Sequence, residues 1–373
     1  MKIAIVCYPT HGGSGVVASE LALGLAEKGH EIHIVSYATP FRLREFSQNV
    51  FIHEVEVATY PLFKYPPYAL SLATKIADID EAYHLDIIHA HYAVPHAASA
   101  FLAKNILRSD HLKVITTLHG TDITLVGADS SFHRVIKFSI EESDGVTTVS
   151  KYLKNRTVEE FGIQRDIRVI YNFIDTKLCA NKFNDCAKEH YAPNGEKLLM
   201  HTSNFRPVKR VSDVVRIFHR VQKEIPAKLL LVGEGPERLF VQQLVKELKL
   251  TEKVIFLGQQ DYIEHLLSCA DLFILPSEQE SFGLVALEAH ACSVPVVGAD
   301  TGGLPEVVVN GETGFLCPIG EVADMAQKSL DILTDEERNQ SFRENARNRA
   351  VKCFDKHSII PQYEKFYKEV LNR

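Results

Sequence analysis

The chain has 373 residues, 46% of them hydrophobic and 24% charged, proportions that exclude a disordered, collagen-like or disulfide-scaffold protein. At roughly 150 residues per domain, the length predicts two units. Against 48 Asp and Glu stand 41 Lys and Arg, a net charge of −7, which lacks the cationic excess that counterion release on nucleic acid demands, so nucleic-acid binding is not expected.

The N-terminal KIAIVCY reads as a strand and not as an export signal, and no run of apolar residues is long enough to span a bilayer; a cytoplasmic protein is expected. The cysteines, Cys7, Cys179, Cys186, Cys269, Cys292, Cys317 and Cys353, form no CxxC pair, and their scatter predicts buried reduced thiols.

In chain order, Lys2–Cys7 predicts the first strand. After it, His11-Gly12-Gly13-Ser14-Gly15 opens an amphipathic stretch, Gly15–Lys28, that predicts a helix closed by Gly29. The positive end of that helix suits an anion, and a plain tight turn is the other use of the same glycines. Strands are expected at Glu31–Tyr37, Ile52–Val57, Ile87–His91, Val114–Thr117, Val146–Val149 and Ile167–Tyr171. The polar, weakly periodic segment 172–196 predicts a boundary near residue 172. A second series follows, with strands at Leu198–His201, Ala227–Val232, Val254–Leu257, Leu272–Leu275 and Val294–Gly298 and helices around 211–223, 236–249 and 281–292. The charged stretch 335–373 is helical in period. Alternating strands and helices predict an α/β protein of two doubly wound parallel-sheet units, 1–171 and 172–355. Residues 356–373 are expected to form a terminal helix returning to the first unit. Ligands are expected outside the carboxyl ends of the strands, in a cleft between the units.

Four strand-end clusters carry chemistry. Leu118-His119-Gly120-Thr121-Asp122 sets an imidazole, a hydroxyl and a carboxylate at one carboxyl edge, and His91, Tyr92 and His96 stand at another; with 17 histidines in the chain, most are expected to be structural. Asn204-Phe205-Arg206-Pro207-Val208-Lys209-Arg210 gathers three cations where a phosphorylated ligand can sit, or forms a solvated basic loop. In the fourth, Glu280 is expected in a loop and Glu288 about two turns inside the following helix, with the N–H groups of Phe282, Gly283 and Leu284 between them. Carboxylates accept hydrogen bonds from sugar hydroxyls and amides bind phosphate; an acidic helix cap followed by a solvated Glu is the alternative.

With Pro295-Val296-Val297 and Gly302-Gly303-x-x-Glu306 downstream, the chain resembles the family 4 retaining glycosyltransferases over almost its whole length. The resemblance implies the GT-B fold, two Rossmann-like domains facing a nucleotide-sugar cleft, the first binding acceptor and the second donor. It implies catalytic roles for His119, Lys209, Arg206 and Glu280, and donor contacts from Gly13, Ser14, Asn204, Arg210, Phe282, Gly283, Leu284 and Glu288. Where the family carries an arginine five residues before the lysine, this chain has Asn204, with Arg206 as the candidate substitute. The opening CYPTHGGSGVVASELA and the run TSNFRPVKRVSD resemble the subgroup that moves N-acetylglucosamine from UDP-GlcNAc to L-malate in bacillithiol biosynthesis. A small anionic acceptor fits Ser14, Tyr92, Thr121, Lys151, Asn155 and Arg156, the last three close to one face if Ser150–Thr157 is helical; an exposed basic turn is the other reading of that trio. UDP-GlcNAc is the implied donor substrate, no cofactor and no metal are expected, and a homodimer is the assembly to look for. Another acceptor (inositol phosphate or a lipid), a UDP-GlcNAc isomerase and a nucleotide-sugar sensor are the competing functions.

Overall fold

A computed structural model describes residues 1–10, 12–43, 45–57, 61–124, 127, 129–177 and 188–373; His11, Cys179 and Cys186 lie outside the described residues. Two compact units are present: Met1–Asn172 with His357–Arg373, and Phe173–Lys356.

The first unit is a parallel seven-stranded sheet in the order β3-β2-β1-β4-β5-β6-β7. Its strands are β1 (Lys2–Val6), β2 (Glu31–Ser36), β3 (Val50–Glu54), β4 (Ile87–His91), β5 (Lys113–Leu118), β6 (Gly145–Thr148) and β7 (Arg168–Val169). The helices are α1 (Ser14–Glu27), α2 (Tyr68–Tyr83), α3 (Ala98–Leu107), α4 (Ser130–Glu142) and α5 (Lys151–Phe161). β1 reads as a near-continuous apolar run because both faces of a parallel sheet are covered, and β4 is buried along its whole length although it carries His89 and His91; Ile3, Ile5, Ile87 and Ile88 are all sealed from solvent. The strand order reverses between β1 and β4, which pair in register from Ile3 with Ile87. The loops leaving these two strands therefore diverge at one edge, the place where open α/β sheets hold ligands.

The second unit is a parallel six-stranded sheet in the order β10-β9-β8-β11-β12-β13, with β8 (Lys197–Thr202), β9 (Ala227–Val232), β10 (Val254–Gly258), β11 (Leu272–Leu275), β12 (Val296–Ala299) and β13 (Gly314–Cys317). Between and after them run α6 (Val211–Glu224), α7 (Arg238–Glu247), α8 (Leu284–Ala291), α9 (Val322–Leu333) and α10 (Glu336–Phe354). The core under α6 is built from Val214, Phe218 and Val221 against Leu199, Leu229 and Leu231. Here the reversal falls between β8 and β11.

Several expected boundaries shift. The third strand runs Val50–Glu54 instead of Ile52–Val57, and the seventh shrinks to Arg168–Val169. β13 is not among the expected strands, since GFLC opens on glycine and lies between turns. The charged stretch 335–373 is two helices, since Asp355 adopts an extended ψ of 140° and starts α11 (Lys356–Leu371) anew. α11 belongs to the first unit, where it buries Tyr363, Phe366, Tyr367 and Val370.

The reduced-thiol expectation needs one correction. Cys7, Cys317 and Cys353 are free, whereas Cys269 and Cys292 are disulfide-bonded. Their separation along the chain conceals that both follow short helical segments whose ends meet: the Sγ atoms lie against the carbonyls of His265 and Glu264 respectively. Among the described residues no helix is long and apolar enough to cross a membrane.

Candidate active site

In the second unit, the loops after β8, β11 and β12 leave three neighbouring strands and interlock. After β8 the chain is anchored by Phe205, fully buried, and by His201. The Nδ1 of His201 donates to the carbonyl of Ile274 at 2.8 Å, so its Nε2 accepts from the Ser203 hydroxyl at 2.9 Å. The loop then makes a single tight turn, Pro207–Lys209. From there the Val208 carbonyl receives the Glu278 amide (2.8 Å), the Glu278 carbonyl receives the Thr301 hydroxyl (3.0 Å), and the Glu280 carbonyl receives the Gly303 amide (2.8 Å).

This scaffold joins two of the expected site residues directly: Lys209 Nζ lies 2.6 Å from Glu280 Oε1, with both side chains largely sheltered. Asn204 and Arg206 are exposed on the same loop, and Arg206 forms no ion pair among the described residues. Arg210 is committed elsewhere, its Nε and Nη2 each 2.7 Å from Asp213 Oδ2, while Arg216 holds the other oxygen at 2.9 Å. The cation cluster is thus divided between one arm facing Glu280 and one fastening the start of α6.

The helix expected at 281–292 begins only at Leu284, because Gly283 takes φ 94°, a left-handed conformation that interrupts helical geometry before it. Glu288 consequently stands about one turn inside α8 rather than two, roughly 6 Å along its axis from the first residue. The first-turn amides of α8, at its positive end, lie between the loop carrying Glu280 and the turn carrying Glu288.

Gly302 leaves the scaffold no room for a side chain. It has φ 59°, and a Cβ there would sit 1.9 Å from the Glu280 carbonyl oxygen. Gly302→Ala is expected to destabilise the second unit by about 2 kcal/mol or more and, by displacing Glu280, to lower turnover. Thermal unfolding and a turnover assay check this, and unchanged values in both would show that the loop yields without cost.

In the first unit, Gly13 caps α1 with φ 59°, and Ser14 Oγ donates to Tyr92 OH at 2.9 Å. Thr121 also hydrogen-bonds the Tyr92 side chain, and His119 packs its ring 5.3 Å from that of Tyr92. Ser14, Tyr92, Thr121 and His119 are therefore one cluster at the β1/β4/β5 edge. Asp122, read from the sequence as part of a reactive lip, is buried instead and accepts from the amides of Gly120 (2.9 Å) and Ala93 (3.2 Å). Burial raises its carboxyl to about 6 against those amide bonds; it clamps two loops together.

α5 starts at Ser150, whose side chain accepts from the Leu153 amide at 3.0 Å. Lys151 and Asn155 are exposed one turn apart, while Arg156 pairs with Glu160 at 3.2 Å. Sequence reasoning passed over the partnership of His91 with His119, 2.8 Å between His91 Nδ1 and His119 Nε2. The available signal was the alternation of His89 and His91 along β4, which puts both on one face of the sheet.

Two Rossmann-type units, one with a lysine–glutamate pair beside a helix N-terminus and the other with a hydroxyl and imidazole cluster, define a two-domain sugar-transferring enzyme of the GT-B class. Residues 11–178 match the model of Glycosyltransferase Family 4 and residues 183–349 that of Glycosyl transferases group 1. The chain belongs to the family 4, group 1, retaining glycosyltransferases. It is a full-length homologue of the N-acetyl-alpha-D-glucosaminyl L-malate synthase of Bacillus anthracis, 48% identical over 372 residues that cover 100% of this chain and 97% of the relative. It is also 30% identical to a glycogen synthase of Mycobacterium tuberculosis strain H37Rv, over 79% of this chain and 72% of the relative. Among solved structures, Anabaena HepE in complex with UDP and glucose superposes with a TM-score of 0.84 at 22% identity, covering 99% of each chain, a likeness of fold.

Proposed function

We propose that the enzyme transfers N-acetylglucosamine from UDP-GlcNAc to L-malate with retention of anomeric configuration, and that it works in the cytoplasm. The Lys209–Glu280 pair beside the N-terminus of α8 carries the donor half of this reading, and the 48% identity to the malate synthase supports the acceptor half.

Paired at 2.6 Å, Lys209 and Glu280 neutralise each other. An arriving diphosphate offers the ammonium a stronger, doubly charged acceptor, and Glu280, released from it, accepts from donor-sugar hydroxyls. Glu288 holds the ribose hydroxyls, and the amides of Phe282, Gly283 and Leu284 meet sugar or phosphate oxygens. Arg206, with Asn204 in the position of the family's arginine, adds charge to the leaving group, and Arg210 supports the loop from Asp213. In the first unit, Gly13 and Ser14 approach the diphosphate and acceptor. Tyr92, Thr121, Lys151, Asn155 and Arg156 supply hydroxyl and cationic contacts to the malate carboxylates.

The bond between the anomeric carbon and the diphosphate oxygen breaks as the malate hydroxyl attacks from the same face. The departing phosphate oxygen takes the hydroxyl proton, leaving UDP and the glycoside. Stabilising negative charge that grows on the diphosphate supplies much of the rate.

The test is acceptor-dependent UDP release from UDP-GlcNAc. Release with L-malate and silence with inositol phosphate is expected; release with inositol phosphate alone would overturn the malate assignment, and epimerised donor without acceptor would overturn transfer itself. In the same assay Glu288→Ala is expected to weaken UDP binding about ten- to a hundredfold, the loss of a charged hydrogen bond, whereas Glu280→Ala lowers turnover more than UDP affinity. Equal and negligible effects would mean that the two carboxylates do not touch the donor.

A further inference from the structure

Among the described residues the His119 ring makes one hydrogen bond, of undetermined direction, between its Nε2 and the Nδ1 of His91. The rings stack with centroids 5.0 Å apart and planes at 20°. Burial keeps both rings uncharged, His91 well below the usual imidazole range and His119 down to about 3. A single proton therefore lies between the two nitrogens, and whichever ring donates determines the tautomer of both.

The far side of His91 decides between the two. Its Nε2 is buried and has no hydrogen-bond partner among the described residues. If His119 donated, His91 would carry its own proton on Nε2, an N–H sealed in the protein with nothing to receive it. Orphaned buried N–H groups are the rarest kind of unsatisfied polar group. If His91 donates from Nδ1, its Nε2 is a bare lone pair. The neighbouring His96 shows which of these the cluster accepts. Its Nδ1 faces the His91 carbonyl oxygen, so it must be the protonated nitrogen, and its unpartnered Nε2 is a buried lone pair. His89 backs the arrangement from behind: its ring lies 4.5 Å from that of His91, and it is held by Tyr367 OH at 2.7 Å and Thr117 Oγ1 at 2.6 Å.

We propose that His91 is a positioning residue that donates to His119 Nε2 and so fixes His119 as the Nδ1–H tautomer, presenting a hydrogen-bond donor to an oxygen of the bound nucleotide sugar. The ligand half of this statement rests on the reading that His119 faces the donor. For Nδ1 of His119 no partner exists among the described residues, which leaves that N–H available to a ligand oxygen.

The tautomer is read directly, in the full chain without substrate, from long-range proton–nitrogen correlations of 15N-histidine-labelled protein near pH 7.5, with His119→Asn identifying the signals. A protonated Nδ1 and an unprotonated Nε2 on His119 are expected; the opposite pattern overturns the proposal. His91→Phe is expected to mix the His119 tautomers and lower kcat about tenfold, one hydrogen bond's worth, with little change in the Kd for UDP. His91→Asn keeps a donor near the Nδ1 position and is expected to restore both the pattern and most of the turnover. An unmixed His119 pattern in a folded His91→Phe protein would refute the role of His91. The expected pattern in a protein that transfers no sugar would support the His91 assignment and fault the substrate reading alone.

Discussion

Replacing Lys209 with methionine is expected to lower the rate of sugar transfer by about two orders of magnitude, the size of effect seen when one preorganised donor to a developing negative charge is removed. Two consequences of the 2.6 Å contact with Glu280 can be separated. The diphosphate loses a cation when charge accumulates on it, which lowers kcat. The Glu280 side chain, only 10% exposed, also loses its counter-ion and is left with an uncompensated carboxylate, expected to cost about 1–3 kcal/mol of stability. The double variant Lys209→Met, Glu280→Gln removes the second effect and keeps the first. Its thermal midpoint should return toward that of the parent while transfer stays at least as slow as in the single variant. Single-turnover UDP release and thermal unfolding on the same samples measure both. Undiminished turnover in Lys209→Met would mean that another group carries the leaving-group charge.

The second large effect is acid lability of the first unit. His89, His91 and His96 are completely buried, and burial holds His89 at about 3, His96 at about 4 and His91 well below the usual value. Each folded value lies below the value of about 6.5 expected in the unfolded chain. The stabilisation is therefore whole above pH 6.5 and is lost as pH falls through the folded values, since the unfolded chain then binds protons that the native state refuses. Each such group contributes about 1.4 kcal/mol per pH unit in that window, so three contribute about 4 kcal/mol for each pH unit, a large share of the ~5–15 kcal/mol that holds a domain together. His119 adds to the slope from its partly exposed position. Asp122 opposes it: raised to about 6, it favours the folded state at low pH and loses that contribution as pH rises from about 4 to 6, one group against three. The midpoint of thermal unfolding is expected to fall by about 10 °C or more per pH unit below pH 6.5. A midpoint unchanged between pH 7.5 and 5.5 would mean that these histidines already reach solvent protons in the native state.

Much of the sheet architecture is legible in the amino-acid order because a parallel strand covered on both faces must be apolar along its length. Ala227–Val232 and Leu272–Leu275 announce themselves this way, and both form strands with those bounds. Gly314–Cys317 does not: GFLC opens on glycine and stands at the sheet edge, between turns. The start of α8 was misplaced because propensity continues through Ser281 and Phe282 and only the backbone angle of Gly283 stops it. The candidate site was legible as far as its residues cluster at strand ends, where chain order and spatial order coincide. Contacts that cross between loops were not. Lys209 and Glu280 are 71 positions apart, His91 and His119 are 28 apart, and the burial that turns Asp122 into a clamp depends on a neighbour from another strand. The disulfide-bonded state of Cys269 and Cys292 is hidden for the same reason, since cysteine spacing records nothing about which helix ends meet.

The claim on which the functional reading turns is that Lys209 grips the diphosphate while Glu288 holds the ribose. A crystal structure of the enzyme with UDP tests it most directly. The nucleotide is predicted to lie along the N-terminus of α8, with its diphosphate within hydrogen-bonding distance of Lys209 Nζ, its ribose hydroxyls on the Glu288 carboxylate, and the Lys209–Glu280 contact opened. UDP bound away from these two side chains, or bound with that ion pair intact, would contradict it.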